Sequence, residues 1–253
     1  AKGKITTHLL KLLKIDFKIL RKKNDLKYID KLIYKSKRKN KITALLIEKG
    51  TLQNNKKLKI KTKVNETFVK RYDFINRFLK LLPTKSKIIS TTGYTSRELL
   101  KLSGTETKRK AQNFYMVGGM GHSASVAAGY AIHSSKKIFC LDGDGSILMH
   151  LGSLRTIGFL NNKNFKHILL NNNSHESVGG QPTNADKIDF KSFSKSLGYK
   201  NYFNIKNKQN IIKTLKKFNK SKGPSLLEVK IRSETIQNLP RPTNLDQIKR
   251  DFL

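Results

Sequence analysis

Cysteine, acidic charge and long apolar runs are all scarce in this 253-residue chain. The single cysteine, Cys140, falls inside an expected buried strand, so no disulfide framework exists and a reducing cytoplasm fits. No apolar run approaches the ~20 residues that a membrane span needs. No apolar signal segment follows the opening Ala1-Lys2-Gly3-Lys4. Position 1 is not a methionine and lies close to a helical pattern, so the chain reads either as a fragment of something longer or as a subunit completed by another chain. Asp and Glu number 17 against 53 Lys and Arg, a net charge of +36 with pI about 10.3. Such a balance ordinarily suggests nucleic acid or a membrane surface. Here the lysines are spread out and occupy polar positions of amphipathic segments, as at Lys11, Lys14, Lys18, Lys22 and Lys23. No tail concentrates them. Neither nucleic acid nor membrane is therefore expected as a partner, although a general positive field would attract anionic substrates.

What is present is an alternation of helix and strand. Residues 4–14 have helical spacing, 15–20 read as a short strand, 26–37 as a helix with Leu26, Ile29, Leu32 and Ile33 on one face, and 42–48 as a strand. Two strands are too few to close a core alone. Residues 51–62 read as a polar linker, and 65–82 as an amphipathic helix striped by Phe68, Tyr72, Ile75, Phe78, Leu79 and Leu82 and stopped by Pro83. A second unit follows: strand 88–93, helix 96–102, a glycine loop at 118–121, a helix of small residues at 123–131, strand 137–141, helix 147–162 and strand 166–170. Helices 189–197 and 208–219 and strand 225–231 complete it. The expected class is α/β, a parallel sheet with helices on both faces.

Two of those strands end in oxygen ligands. Ile138 to Leu141 leads into Gly143-Asp144-Gly145, and His167 to Leu170 leads into Asn171-Asn172, with Asn172 standing 28 residues after Asp144. Ligands of open α/β sheets sit at the carboxyl ends of strands, where both motif halves fall. Mg²⁺ prefers one or two protein oxygens plus phosphate oxygens and water. Asp144 offers an anionic oxygen and Asn172 a neutral one, leaving positive surplus for a diphosphate. Gly143 and Gly145 permit a tight turn and close approach of phosphate, and Ser146 opens a helix whose amides favour an anion. The pattern points to thiamine diphosphate (ThDP) with Mg²⁺.

Residues 88–183 resemble the cofactor-binding half of the ThDP-dependent 2-oxo acid decarboxylases, specifically the phosphonopyruvate decarboxylase branch, with the sulfopyruvate decarboxylases as near relatives. The resemblance rests on Thr91-Thr92-Gly93-Tyr94-Thr95-Ser96-Arg97-Glu98-Leu99, Gly118-Gly119-Met120-Gly121-His122, Leu141 to Ser146, and Asn171 to Thr183. Residues 2–6 and 44–51 are similar to the end of that family's pyrimidine-binding domain. The implied organisation is a partial pyrimidine-binding domain at 1–60, linker and helix at 61–85, and a ThDP diphosphate-binding domain at 86–253.

The resemblance implies Mg²⁺ ligation by Asp144, the Asn172 side chain and the backbone oxygen of Ser174, with Asn171 the alternative to Asn172 if the register slips by one. It implies diphosphate contacts from Thr92, Gly93, Gly145 and Ser146. Met120 is either a wedge under the cofactor or ordinary core packing. His122 and His175 are candidate catalytic residues, contacting the substrate's anionic group or donating a proton, with a structural role the alternative for each. His150 and His167, in a helix and a strand, read as structural. Arg97 either forks onto a phosphonate or pairs with Glu98 or a neighbour. Gly179-Gly180-Gln181 reads as a lid, an anion nest or a plain loop. The implied reaction converts phosphonopyruvate to phosphonoacetaldehyde and CO₂. The family's activating glutamate lies early in the pyrimidine-binding domain, whereas Glu48 and Glu66 come too late in the order. A homo-oligomer, or a hetero-oligomer with a chain carrying that domain, is therefore expected.

Overall fold

The structure, a computed structural model, describes residues 2–52, 66–104 and 112–253. The expected linker at 51–62 lies outside the described residues from 53 onward, as does Asn65. The chain divides into two compact units, Ala1–Ile60 and Lys61–Leu253.

The first unit runs α1 (Lys2–Leu12), β1 (Asp16–Leu20), a 3₁₀ turn (Lys23–Leu26), α2 (Lys27–Lys39) and β2 (Thr43–Ile47). The strands pair in parallel, Asp16 opposite Thr43 through Leu20 opposite Ile47. Asn40 ends α2 in the left-handed region at φ +46, where Asn is among the few residues tolerated. Of the apolar face expected on α2, only Leu32 is buried, while Leu26 and Ile33 are exposed. A two-stranded sheet is too narrow to cover the whole face of a helix.

The second unit orders its sheet β3-β9-β7-β6-β4-β5, with β8 also on β9, and every pairing is parallel. The strands are β3 (Val69–Lys70), β4 (Lys87–Ser90), β5 (Asn113–Tyr115), β6 (Ile138–Gly143), β7 (Phe165–Asn171), β8 (Asn201–Ile205) and β9 (Ser225–Arg232). The helices are α3 (Arg71–Lys80), α4 (Tyr94–Ser103), α5 (Ser123–Ile132), α6 (Asp144–Met149), α7 (Leu151–Leu160), α8 (Phe190–Ser196), α9 (Ile211–Lys220) and α10 (Leu245–Phe252). Successive strand side chains point to opposite faces, and each face has its own core. Phe139, Leu141, Ile168 and Leu170 meet Phe74, Phe78, Leu99, Leu215 and Phe218 from α3, α4 and α9. Ile138, Cys140 and Leu169 meet Ala127, Ile147, Leu154, Ile157, Phe190 and Phe252 from α5, α6, α7, α8 and α10. The continuous apolar runs of β6 and β7 are thus buried on both sides, as a parallel sheet requires.

Three expectations are corrected. The helix expected over 65–82 begins at Arg71, because Val69 and Lys70 are extended and pair with Ile231 and Arg232. The helix expected over 147–162 is two helices, broken at His150 (φ −140, ψ 51). That break turns the His150 ring towards the glycine loop: a methyl group on Gly121 would stand 2.5 Å from its Nδ1. His150 is therefore a junction residue and not a helical one. Strands β5 and β8 and helix α10 are additions, each too short or too polar for periodicity to reveal. No helix among the described residues is long and apolar enough to cross a membrane.

Candidate active site

The carboxyl ends of β4, β6 and β7 open on one cleft. Thr91 and Thr92 line it after β4, Gly143 to Ser146 after β6, and Asn172, Ser174, His175 and Glu176 after β7, with Met120 from the glycine loop. Arg71 and Tyr94 are also on the wall.

Asp144 is buried, and burial pushes its carboxyl above the usual range. The Thr183 hydroxyl, 2.5 Å from Oδ2, and the backbone amides of Asp144, Gly145 and Asn172 oppose that push. Thr183 lies in the loop after β7, so its bond to Asp144 ties that loop to the turn after β6. The Ser146 hydroxyl accepts from Thr91 Oγ1 at 2.9 Å and from the Gly121 amide at 3.1 Å. Its own proton is left to donate. Asn171 is turned away from the cleft: its Nδ2 donates to Glu228 Oε1 at 2.9 Å, and its Oδ1 accepts from the Asn173 amide. Asn172 faces the cleft, donating through Nδ2 to Glu176 Oε2 at 3.1 Å and accepting at Oδ1 from the Ser174 amide. The Ser174 hydroxyl is buried without a hydrogen-bond partner among the described residues.

The two glycines of the turn differ. A methyl group on Gly145 would stand 2.5 Å from His175 Nδ1 and 3.3 Å from Met120 Cε, so the histidine ring and the methionine close over a residue with no side chain. A methyl group on Gly143 would meet nothing within 4 Å, because this position looks into the open cleft.

The family of thiamine pyrophosphate enzymes, C-terminal TPP binding domain, matches residues 91–229, which begin immediately after β4 and include the ends of β6 and β7. The chain belongs to this family. It is 36% identical over 168 residues to a phosphonopyruvate decarboxylase of Streptomyces viridochromogenes, an alignment covering 66% of this chain and 41% of that protein. It is 39% identical over 120 residues to sulfopyruvate decarboxylase subunit beta of Methanocaldococcus jannaschii, covering 47% of this chain and 61% of that one. With the same subunit of Methanothermobacter thermautotrophicus it shares 34% over 131 residues, covering 52% and 68%. The chain thus spans less than half the length of the phosphonopyruvate decarboxylases it matches.

The cofactor of a TPP-binding domain is thiamine diphosphate, and the residues present fit it. Desolvated Asp144 asks for a cation; Ser146 keeps a proton for an anionic oxygen; the unpartnered Ser174 hydroxyl and the open Gly143 position lie on the same cleft. Thr92, Met120, Asp144, Gly145, Ser146, Asn172, Ser174 and His175 are brought together there, while Gly93, at φ +94, forms the turn into α4 with Ser177 Oγ beside it. His122 is not on the cleft wall; it is exposed, and its ring lies tilted against that of His150, with centroids 4.3 Å apart. His167 is buried, bonded to Tyr199 OH through Nδ1 at 3.0 Å and to Asp142 Oδ2 through Nε2 at 3.3 Å. Gly179 to Gln181 belong to a turn whose Gln181 carbonyl accepts from the His175 amide.

The pairing of Arg97 with Glu98 is not formed. Arg97 lies over the Tyr94 ring at 5.4 Å, and Glu98 is buried against Arg71 instead. Helical neighbours in sequence do not face each other, which is why the adjacent pair cannot close. Sequence reasoning missed Arg71 and Glu176. The available signal was Glu98 itself: a carboxylate within a run that buries Thr95, Ser96 and Leu99 must have a cation near it.

Proposed function

We propose that the chain carries the diphosphate-binding half of a ThDP- and Mg²⁺-dependent 2-oxo acid decarboxylase whose substrate is phosphonopyruvate, converted to phosphonoacetaldehyde and CO₂. The observation that carries the reading is the convergence of Asp144, Asn172 and Ser174 with Ser146 and Thr92 on one cleft. Asp144, the Asn172 amide oxygen and the Ser174 backbone oxygen would hold Mg²⁺, and Thr92, Gly93, Gly145 and Ser146 would meet the diphosphate. Met120 supports the cofactor from the glycine loop. When bound, the cofactor supplies the electron sink that decarboxylation needs. The chain's own residues position it and keep water out. His175, on the cleft wall, donates a proton or contacts the substrate's anionic group; His122 takes such a part only from outside that wall.

Residues 1–60 are read as the C-terminal part of a pyrimidine-binding domain, 61–85 as linker and helix, and 86–253 as the diphosphate-binding domain. The activating carboxylate then comes from a pyrimidine-binding segment beyond these residues or from a partner chain. Glu48 supports this: it is exposed and paired with Arg21 at 3.0 Å, a surface ion pair. Sulfopyruvate is the second substrate reading, favoured by the similarity to separate beta subunits.

The purified chain with ThDP, Mg²⁺ and phosphonopyruvate is expected to turn over weakly or not at all, and to gain activity when a chain bearing a pyrimidine-binding domain is added. Full activity alone would sink the missing-half argument, and preference for sulfopyruvate would choose the second substrate. Asp144→Ala is expected to abolish Mg²⁺-dependent ThDP binding; unchanged affinity would show the ligand assignment to be wrong.

A further inference from the structure

We propose that Arg71 is a positioning residue for the metal end of the site, acting through Glu176 to fix which end of the Asn172 amide faces the cleft. This rests on reading Asn172 as a metal ligand. Arg71 precedes the span that matches the family, 91–229, and sits at the junction of β3 and α3. The two residues of β3 pair with Ile231 and Arg232 and so hold Arg71 beside the carboxyl end of the sheet.

The guanidinium is buried and makes three bonds. Nε donates to Glu98 Oε2 at 3.0 Å, Nη2 to Glu98 Oε1 at 3.2 Å, and Nη1 to Glu176 Oε2 at 2.9 Å. Burial works against its charge, but the two carboxylates outweigh burial and hold it above its ordinary range. The fork on Glu98 sets the plane of the guanidinium, and Glu98, which no solvent reaches, also accepts from Thr235 Oγ1 at 3.3 Å. With the plane fixed, Nη1 points one way and Glu176 follows.

Glu176 Oε2 then meets Asn172 Nδ2 at 3.1 Å. The two ends of an amide are nearly alike in shape and opposite in chemistry. A carboxylate only accepts, so the NH₂ end of Asn172 must face Glu176. The oxygen is left to the other side, where the Ser174 amide takes one lone pair at 3.2 Å and the second remains for a cation. One Arg and two carboxylates also leave one net negative charge on this wall, of the sign that favours a divalent ion. Outer partners of this kind commonly govern metal affinity by roughly ten- to a hundredfold.

Removing Arg71 alone would strand the buried Glu98 charge, so the test replaces the pair together, as Arg71→Met with Glu98→Gln, alongside Glu176→Ala and Asn172→Ala. The readout is the Mg²⁺ concentration that half-completes the rise in melting temperature of the whole 253-residue chain with ThDP in excess. Glu176→Ala and the paired replacement are each expected to raise that concentration about ten- to a hundredfold. Glu176→Ala should add nothing further on top of Asn172→Ala. If Asn172→Ala shifts the Mg²⁺ requirement and the other two stay within about twofold, the positioning role is overturned while the metal-ligand reading stands. A fall in the ligand-free melting temperature with an unchanged Mg²⁺ requirement overturns it as well, since that is the mark of a purely structural ion pair. A parent chain indifferent to Mg²⁺ and ThDP, or an Asn172→Ala chain with the parent's requirement, overturns the reading and the inference together.

Discussion

The two units spend their apolar residues differently. In Ala1–Ile60 the buried hydrophobics among the described residues are Leu20 and Leu32, while Leu9, Leu12, Leu13, Ile33, Tyr34 and Ile47 are exposed. In Lys61–Leu253 both faces of a seven-stranded sheet are covered, and Phe74, Phe78, Phe139, Phe165, Phe190 and Phe218 are almost fully enclosed. Burial contributes roughly 25 cal/mol for each Å² of apolar surface removed from water, so the second unit has the stronger reason to fold. The same unit can hold charged groups out of water, because a wide core surrounds them with fixed partners. Arg71, Glu98, Asp144 and Lys166 are all of this kind. The first unit places its ion pairs, Arg21 with Glu48 and Lys35 with Asp16, at the surface.

The largest effect expected from this contrast is in the core. Phe78 packs edge-on against Phe139, with ring centroids 5.2 Å apart. Phe78→Ala should destabilise the second unit by about 3–5 kcal/mol in denaturant unfolding, and a loss below about 1 kcal/mol would erase the difference between the units.

A smaller effect concerns Lys166. Its amino group is enclosed by the Phe218 and Ser221 carbonyls and the Ser221 hydroxyl, and burial pushes it down to about 8 from an ordinary 10.5. The folded state therefore releases this proton before the unfolded chain does. Below pH 8 both states hold the proton and the full cost of burying the charge is felt. Between pH 8 and 10.5 the unfolded chain binds more protons, so stability rises with pH. Relative to a Lys166→Met chain, the parent should gain roughly 1–2 kcal/mol across that window, less than the whole shift implies because the Phe218 and Ser221 oxygens around the amino group favour its charged form. Thermal melts of both chains at pH 7.5 and 10.5 measure it, and parallel behaviour would show Lys166 to be as solvated as the lysines of the first unit.

The smallest effect belongs to the first unit. Ile33 is exposed on α2, and Ile33→Ser should change the stability of the isolated chain by no more than about 0.5 kcal/mol. A loss above about 2 kcal/mol would mean that this face is covered in solution, and would narrow the contrast to one of partners.

Strands β6 and β7 were legible because buried parallel strands are unbroken apolar runs, and the placing of Asp144 and Asn172 on one cleft was legible because the carboxyl ends of such strands open together. β5 and β8 were not, since three residues around Phe114 and the polar Asn201-Tyr202-Phe203-Asn204 carry no period of their own and become strands by pairing with β4 and β9. The choice between Asn171 and Asn172 was open for a similar reason. Neighbours in a strand point to opposite faces, and Glu228, a strand away, claims the amide of Asn171.

The amino-acid sequence by itself determined the alternation of strand and helix, the parallel sheet, and Asp144 and Asn172 at adjacent strand ends, because these follow from local periodicity and spacing. Tertiary structure alone decided that Arg71, Glu98, Glu176 and Asn172 form one chain of hydrogen bonds. These residues are separated by up to 105 positions, and a buried charge takes as its partner whichever group the fold brings near.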